Sequence, residues 1–152
     1  MEEEELGSCI LIRECVEEDL AQVMKLEAEC FKFPYDMETF IHFLSSDRSI
    51  FLVYDLDGSV EGYIICDARE IGTGMVVSIA VSSKHRRAGL GSALLNAAMS
   101  KMQGLVSKLV LQVAKSNEGA TEFYKLHQFT VKGILPHYYP DGEDAYLMAR
   151  DI

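Results

Sequence analysis

The sequence predicts a mixed α/β fold, one sheet with helices packed on it, in the order β-α-α-β-β-β-α-β-α-β-β. Three observations predict it. Short apolar runs of strand length alternate with segments whose apolar residues recur at helical spacing. Three consecutive strands after the first helical region look antiparallel, two of them joined by a connection of hairpin length. Two β-α units then follow. The pattern is neither a Rossmann repeat nor a sandwich.

Each element has its own signal. Residues 9–13 (CILIR) suit a strand. Val16, Leu20, Val23, Met24 and Phe31 recur at helical spacing, with Glu17, Glu18 and Asp19 placed to complement a helix N-terminus. Pro34 in FKFPYD ends that helix. A shorter helix over about 37–45 carries Phe40, Ile41 and Leu44. Residues 50–54 (IFLVY) and 60–66 (VEGYIIC) flank the turn Asp55-Leu56-Asp57-Gly58. A strand over 75–81 leads through SSKHRRAGLGS into a long helix to about residue 103. Leu94, Leu95, Ala98, Met99 and Met102 form its apolar stripe, and Gly104 suits its stop. A strand over 108–113, a helix over 118–126 and strands over 130–135 and 145–149 complete the chain.

With 152 residues and 49% hydrophobic content, the chain is long and apolar enough to bury a core. Residues 1–6 (MEEEEL) read as an acidic, flexible tail, and 7–152 as one domain. The formal net charge of -10 disfavours nucleic acid as a partner. No apolar stretch approaches the ~20 residues of a membrane span, and no secretory signal pattern is present, so a cytoplasmic protein without a membrane partner is expected. Cys9, Cys15, Cys30 and Cys66 form no C-x-x-C pair and lack histidines at zinc spacing. They read as reduced thiols, and no metal is expected.

The run Arg86-Arg87-Ala88-Gly89-Leu90-Gly91-Ser92 lies between a strand and a helix. Its glycines let the backbone turn tightly and approach a ligand. Unpaired amides at the new helix N-terminus, with the helix dipole, suit a diphosphate, and two arginines add charged donors. The spacing matches neither a Walker loop nor G-x-G-x-x-G, which disfavours ATP and nicotinamide. By spacing alone, a packing turn with solubilising arginines remains open.

The stretch VSIAVSSKHRRAGLGSALL resembles the acetyl-CoA signature of the GNAT superfamily of acetyltransferases, Arg/Gln-x-x-Gly-x-Gly/Ala, with Arg86, Gly89 and Gly91 in the three places. The resemblance implies the GNAT fold and acetyl-CoA as cofactor. It implies that the backbone of Arg86, Arg87, Ala88, Gly89, Leu90, Gly91 and Ser92 holds the pyrophosphate. It also implies that the strand at Ile79, Ala80 and Val81 splays from its neighbour to pair with pantetheine, and that the Val81 N–H binds the developing oxyanion. LQVAKSNEGATEFYKLHQF resembles the family's next block, with Asn117, Ala120 and Tyr124 in register. By that likeness Asn117 contacts pantetheine or nearby backbone and Tyr124 is the general acid for the departing thiolate; taken alone, Tyr124 could equally be a core aromatic.

The C-terminal HYYPDGEDAYLMARDI resembles the ends of RimI-type and of archaeal and eukaryotic N-terminal acetyltransferases. Tyr138, Tyr139, Asp141, Gly142, Glu143, Asp144 and Ala145 match. The likeness implies that this loop faces Phe33-Pro34-Tyr35 and that the two clamp an acceptor, the α-amino group of a protein or peptide N-terminus, with ribosomal or nascent proteins among the acceptors. Rigid aromatics suit that task at low entropic cost. An α-amine, with pKa ~7.7–8.0, deprotonates far more readily than a lysine near ~10.4. The chain departs from the pattern in three places. Gln112 stands where RimI-type enzymes have a glutamate base, and Met75 where some relatives have a tyrosine, so an ordered water held by Gln112, by backbone carbonyls or by a tyrosine of the 138–139 pair is the expected route for the proton. Gln128 replaces the glycine of Leu-Gly-Phe, which questions the turn there. His85 and His127 read as surface histidines. A GNAT enzyme acting on lysine side chains or small amines, and an idle CoA-binding module, are the alternatives. A monomer or homodimer is expected.

Overall fold

The computed structural model describes residues 10–86 and 88–152. The expected acidic tail, Cys9 and Arg87 lie outside the described residues. A seven-stranded sheet of order β1-β2-β3-β4-β5-β7-β6 forms the centre. Its strands are β1 (Ile10–Glu14), β2 (Ser49–Leu56), β3 (Ser59–Glu70), β4 (Gly72–Val81), β5 (Val106–Ala114), β6 (Thr130–Leu135) and β7 (Ala145–Asp151). The helices are α1 (Leu20–Cys30), α2 (Met37–Ser45), α3 (Leu90–Met102) and α4 (Glu118–Leu126). The predicted element order holds throughout. Among the strands of the described residues, β4 and β5 pair in parallel and the other pairings are antiparallel.

The inner strands β2 and β3 bury residues on both faces, because helices cover the middle of the sheet on both sides, while the edge strands β1 and β6 stay largely exposed. Under α1 and α2, Val23, Leu26, Phe40 and Phe43 pack on Phe51, Val53, Tyr63, Ile65 and Ala80. Under α3 and α4, Leu94, Leu95, Ala98, Met102 and Tyr124 pack on Leu52, Ile64, Val76, Leu109, Leu111, Val113 and Met148. Each such side chain contributes roughly 1.5–3 kcal/mol by leaving water.

Local departures from the expected boundaries have physical causes. The first helix begins at Leu20 rather than near Val16, which is exposed. Asp19 takes two bonds from Arg13, Nη1 to Oδ2 at 2.7 Å and Nη2 to Oδ1 at 2.9 Å. Its Oδ2 also accepts the Val16 amide at 2.9 Å, so Glu17–Asp19 tighten into a 3-10 turn. The expected four-residue turn after β2 contracts to Asp57-Gly58, both left-handed (φ 52° and 89°), the geometry of a two-residue hairpin. Asp55 Oδ1 accepts the Gly58 amide at 2.7 Å and closes it.

The feature that organises the site lies between β4 and β5. Their register runs only from Gly72↔Val106 to Met75↔Val110. β4 continues to Val81 and β5 to Ala114 with no pairing between them. The β3–β4 register also shifts at Ile65/Cys66, leaving Val77 as an extra residue that turns β4 locally. The sheet therefore opens in its middle, at the C-terminal ends of both strands.

Candidate active site

Beside this opening, the chain leaves β4 through Ser82 and a 3-10 turn over Ser83–His85 and re-enters helix at Leu90. Glu61 on β3 holds the turn. Its Oε1 accepts Ser82 Oγ at 2.8 Å and lies 3.6 Å from His85 Nε2. Hydrogen bonds from Ser59 and Ser82 keep its carboxyl below its usual pKa despite burial. Gly89, at φ 86°, is the left-handed residue from which α3 starts, and a Cβ there would meet no atom within 4 Å. Gly91 has another reason: a Cβ would come within 3.3 Å of the Phe123 ring. The first turn of α3 has no side-chain cap and no acidic residue. Its leading amides therefore point outward without helical acceptors, with the positive end of the helix dipole behind them. Ser92 is engaged otherwise, its Oγ 2.8 Å from His127 Nε2. The Arg86 guanidinium donates to Cys30 Sγ at 3.4 Å, and Cys30 Sγ donates to the Val81 carbonyl at 3.5 Å.

Across the opening, Asn117 caps α4, its Oδ1 accepting the Ala120 amide at 3.1 Å. Of the two contacts expected of Asn117, this is the one with nearby backbone. Tyr124 is buried, edge-on to Phe123 and Phe129 with centroids at 5.3 and 5.6 Å. Its hydroxyl bonds to no described residue. Burial first, then Cys66 and Tyr139, push its pKa upward, so it stays protonated. Gln112, half-buried on β5 opposite Leu147, faces away from the core of Leu111 and Val113, and its side-chain amide bonds to no described residue. Met75 is half-buried where β4 last touches β5.

The third wall consists of two loops. Phe33 and Tyr35, both exposed, belong to the α1–α2 loop with Pro34. Tyr138 and Tyr139, ring centroids 5.0 Å apart and perpendicular, belong to the β6–β7 loop. Lys32 Nζ reaches Asp141 Oδ2 at 2.8 Å and ties the two loops together. Tyr139 is half-buried and its pKa is pushed up to about 12, by burial first and then by Tyr138, Tyr35 and Glu143. The acidic residues of the C-terminal pattern are fasteners: Glu143 Oε2 accepts the Ser116 amide at 2.7 Å, and Asp144 Oδ1 accepts the His137 amide at 3.0 Å.

His85 and His127 lie partly exposed at the surface, and both are engaged, His85 by Glu61 and His127 by Ser92 and Phe123. The turn at Gln128 survives loss of glycine because Gln128 itself adopts φ 72°. Sequence reading missed Glu27. It is buried in α1 with no pattern to single it out, yet it accepts bonds from the Tyr63 hydroxyl, from Ser78 Oγ at 3.0 Å and from the Tyr35 amide at 3.0 Å.

The Acetyltransferase (GNAT) family profile matches residues 20–129. The chain belongs to the GNAT acetyltransferase family. Among curated GNAT relatives, the N-alpha-acetyltransferase of Sulfurisphaera tokodaii is 36% identical over 147 residues, covering 88% of each chain. Ard1 from Thermoplasma volcanium superposes with a TM-score of 0.88 at 29% identity, covering 94% of this chain and 97% of that one. The ribosomal-protein-S18-alanine N-acetyltransferase of Escherichia coli superposes with a TM-score of 0.85 at 28% identity, covering 95% and 94%. As a GNAT enzyme the chain uses acetyl-CoA, and the residues fit that group: the strand edges at the opening, the uncapped α3 and the open space at Gly89 are what a diphosphate and an extended arm need.

Proposed function

We propose that this acetyltransferase transfers an acetyl group to the α-amino group of a protein N-terminus, by direct attack of the amine and without an acyl-enzyme. One observation supports it most: two aromatic loops, joined by Lys32 and Asp141, stand beside the opening between β4 and β5. The relatives named N-alpha-acetyltransferase support the same acceptor class.

Bound acetyl-CoA supplies an acetyl thioester, a carbonyl already activated for transfer. The protein then has four tasks. Amides of Ala88 to Ser92, with the arginines at 86 and 87, hold the diphosphate at the start of α3. The β4 edge at Ile79, Ala80 and Val81 aligns the arm, and the Val81 amide polarises the carbonyl. Asn117 braces the opposite side. Tyr124, kept protonated by burial, gives its proton to the departing sulfur.

On the acceptor side, Phe33, Pro34, Tyr35, Tyr138 and Tyr139 hold the first residues of the peptide. The side-chain amide of Gln112 orients a water that takes the amine proton. Because an α-amine has an unperturbed pKa of ~7.7–8.0, a water suffices where a lysine would need a stronger base.

The deciding experiment is a panel of short peptides differing in their first residue, each with a free and a blocked N-terminus and an internal lysine, read by mass. Acetylation confined to free N-termini is expected. Acetylation of the lysine irrespective of blocking would overturn the acceptor assignment, and no thiol release with any peptide would overturn the activity.

A further inference from the structure

We propose that Glu27 is a positioning residue for the acceptor peptide: it fixes the main chain at Tyr35 and so sets the first-residue site. This rests on the acceptor loop proposed above. Glu27 lies on α1, its side chain directed into the protein over β3 and β4, and it is only 2% exposed. A carboxylate so placed requires hydrogen-bonded partners. The three it has come from three elements: Tyr63 on β3, Ser78 on β4 and the Tyr35 amide in the α1–α2 loop.

The division between its two oxygens matters. Oε1 takes both hydroxyls, Tyr63 and Ser78, which fixes the carboxylate against the sheet. Oε2 is thereby aimed outward at the Tyr35 amide. Ser78 lies three residues before Val81 on the strand that borders the opening. The α1–α2 loop is thus referenced to β4 by a chain of hydrogen bonds. Tyr35 also packs edge-on to the buried Phe40, centroids 6.3 Å apart, so the loop is held by its main chain and by its side chain.

Glu27 is kept from the reacting amine by its burial, which separates positioning from proton transfer. A glutamine there can give its oxygen to the Tyr35 amide and its NH2 to the Tyr63 and Ser78 hydroxyls, since hydroxyls also accept. Charge is lost but the loop bond is kept. An alanine loses the bond.

The test is steady-state kinetics with a peptide that the unaltered enzyme acetylates at its N-terminus. Glu27→Ala is expected to raise the peptide KM at least tenfold and leave the acetyl-CoA KM within twofold. Glu27→Gln is expected to hold both KM values and kcat within threefold. Should Glu27→Ala not fold, the triple variant Glu27→Leu, Tyr63→Phe, Ser78→Ala removes both hydroxyls along with the carboxylate, so neither hydroxyl is left buried without its acceptor; it is expected to show the same rise in peptide KM. An unchanged peptide KM in whichever of the two folds overturns the proposal. A hundredfold loss of kcat in Glu27→Gln also overturns it, and assigns Glu27 to proton transfer. Failure of the unaltered enzyme to acetylate any free N-terminus would instead refute the function on which the proposal rests.

Discussion

Tyr124 combines a buried ring with a hydroxyl that no described residue engages. Removing that oxygen leaves no protein group unpaired. Tyr124→Phe should therefore keep its thermal midpoint while losing about a hundredfold in kcat, the low end of what a general acid contributes; calorimetry beside single-turnover kinetics separates the two effects. Gln128 presents the opposite case, a side chain forced into a left-handed backbone at φ 72°. Gln128→Gly should relieve about 1 kcal/mol of strain and raise the midpoint by about 3 °C. His127 adds a pH dependence. Burial first, then Arg150, lower its pKa, so the folded state prefers the neutral ring. Its contribution to stability is full above the unfolded value of ~6.5 and is lost as the pH falls through that value and the folded one. Thermal midpoints taken from pH 7.5 to 5.5 should fall less steeply for His127→Gln than for the unaltered protein.

At the scale of elements, the turn into α3 is the most exacting segment. Gly89 and Gly91 look alike in sequence, yet one is needed for its backbone angle and the other for the room it leaves Phe123. Gly89→Val places a β-branched residue at φ 86° with no steric contact to blame, and should weaken coenzyme A binding about tenfold at a nearly unchanged fold; titration calorimetry measures it. The elements themselves were legible: α2, α4 and β6 fall on the expected residues because each has a clear period and a clear stop. The signature loop was legible too, through Arg86, Gly89 and Gly91. What was not legible depends on long-range partners. Asp19 looks like an ordinary first-turn acid until Arg13 reaches it from β1. Glu27 looks like a surface acid of an amphipathic helix, and only the folded chain brings Tyr63 and Ser78 beneath it. Glu143 and Asp144 could be matched to a pattern, but not assigned their amides at Ser116 and His137.

The whole molecule divides its tasks across the sheet. The core under α1 and α2 and the core under α3 and α4 lie on opposite faces of the sheet. On the proposed function, the acceptor would enter past the α1–α2 loop and the donor past the turn into α3, meeting where the strands part. Carboxylates fasten two of the connections: Glu27 holds the α1–α2 loop at Tyr35, and Glu61 holds the turn before α3 at Ser82.

The brevity of the β4–β5 register has a mechanical consequence. Four matched residue pairs are the whole main-chain seam between the antiparallel first half and the remainder of the sheet. The molecule resembles a book whose spine is stitched at one end only. On the proposed function, an extended donor that pairs with the unmatched strand edges would join the two halves along the rest of the spine, so its binding should raise the thermal midpoint.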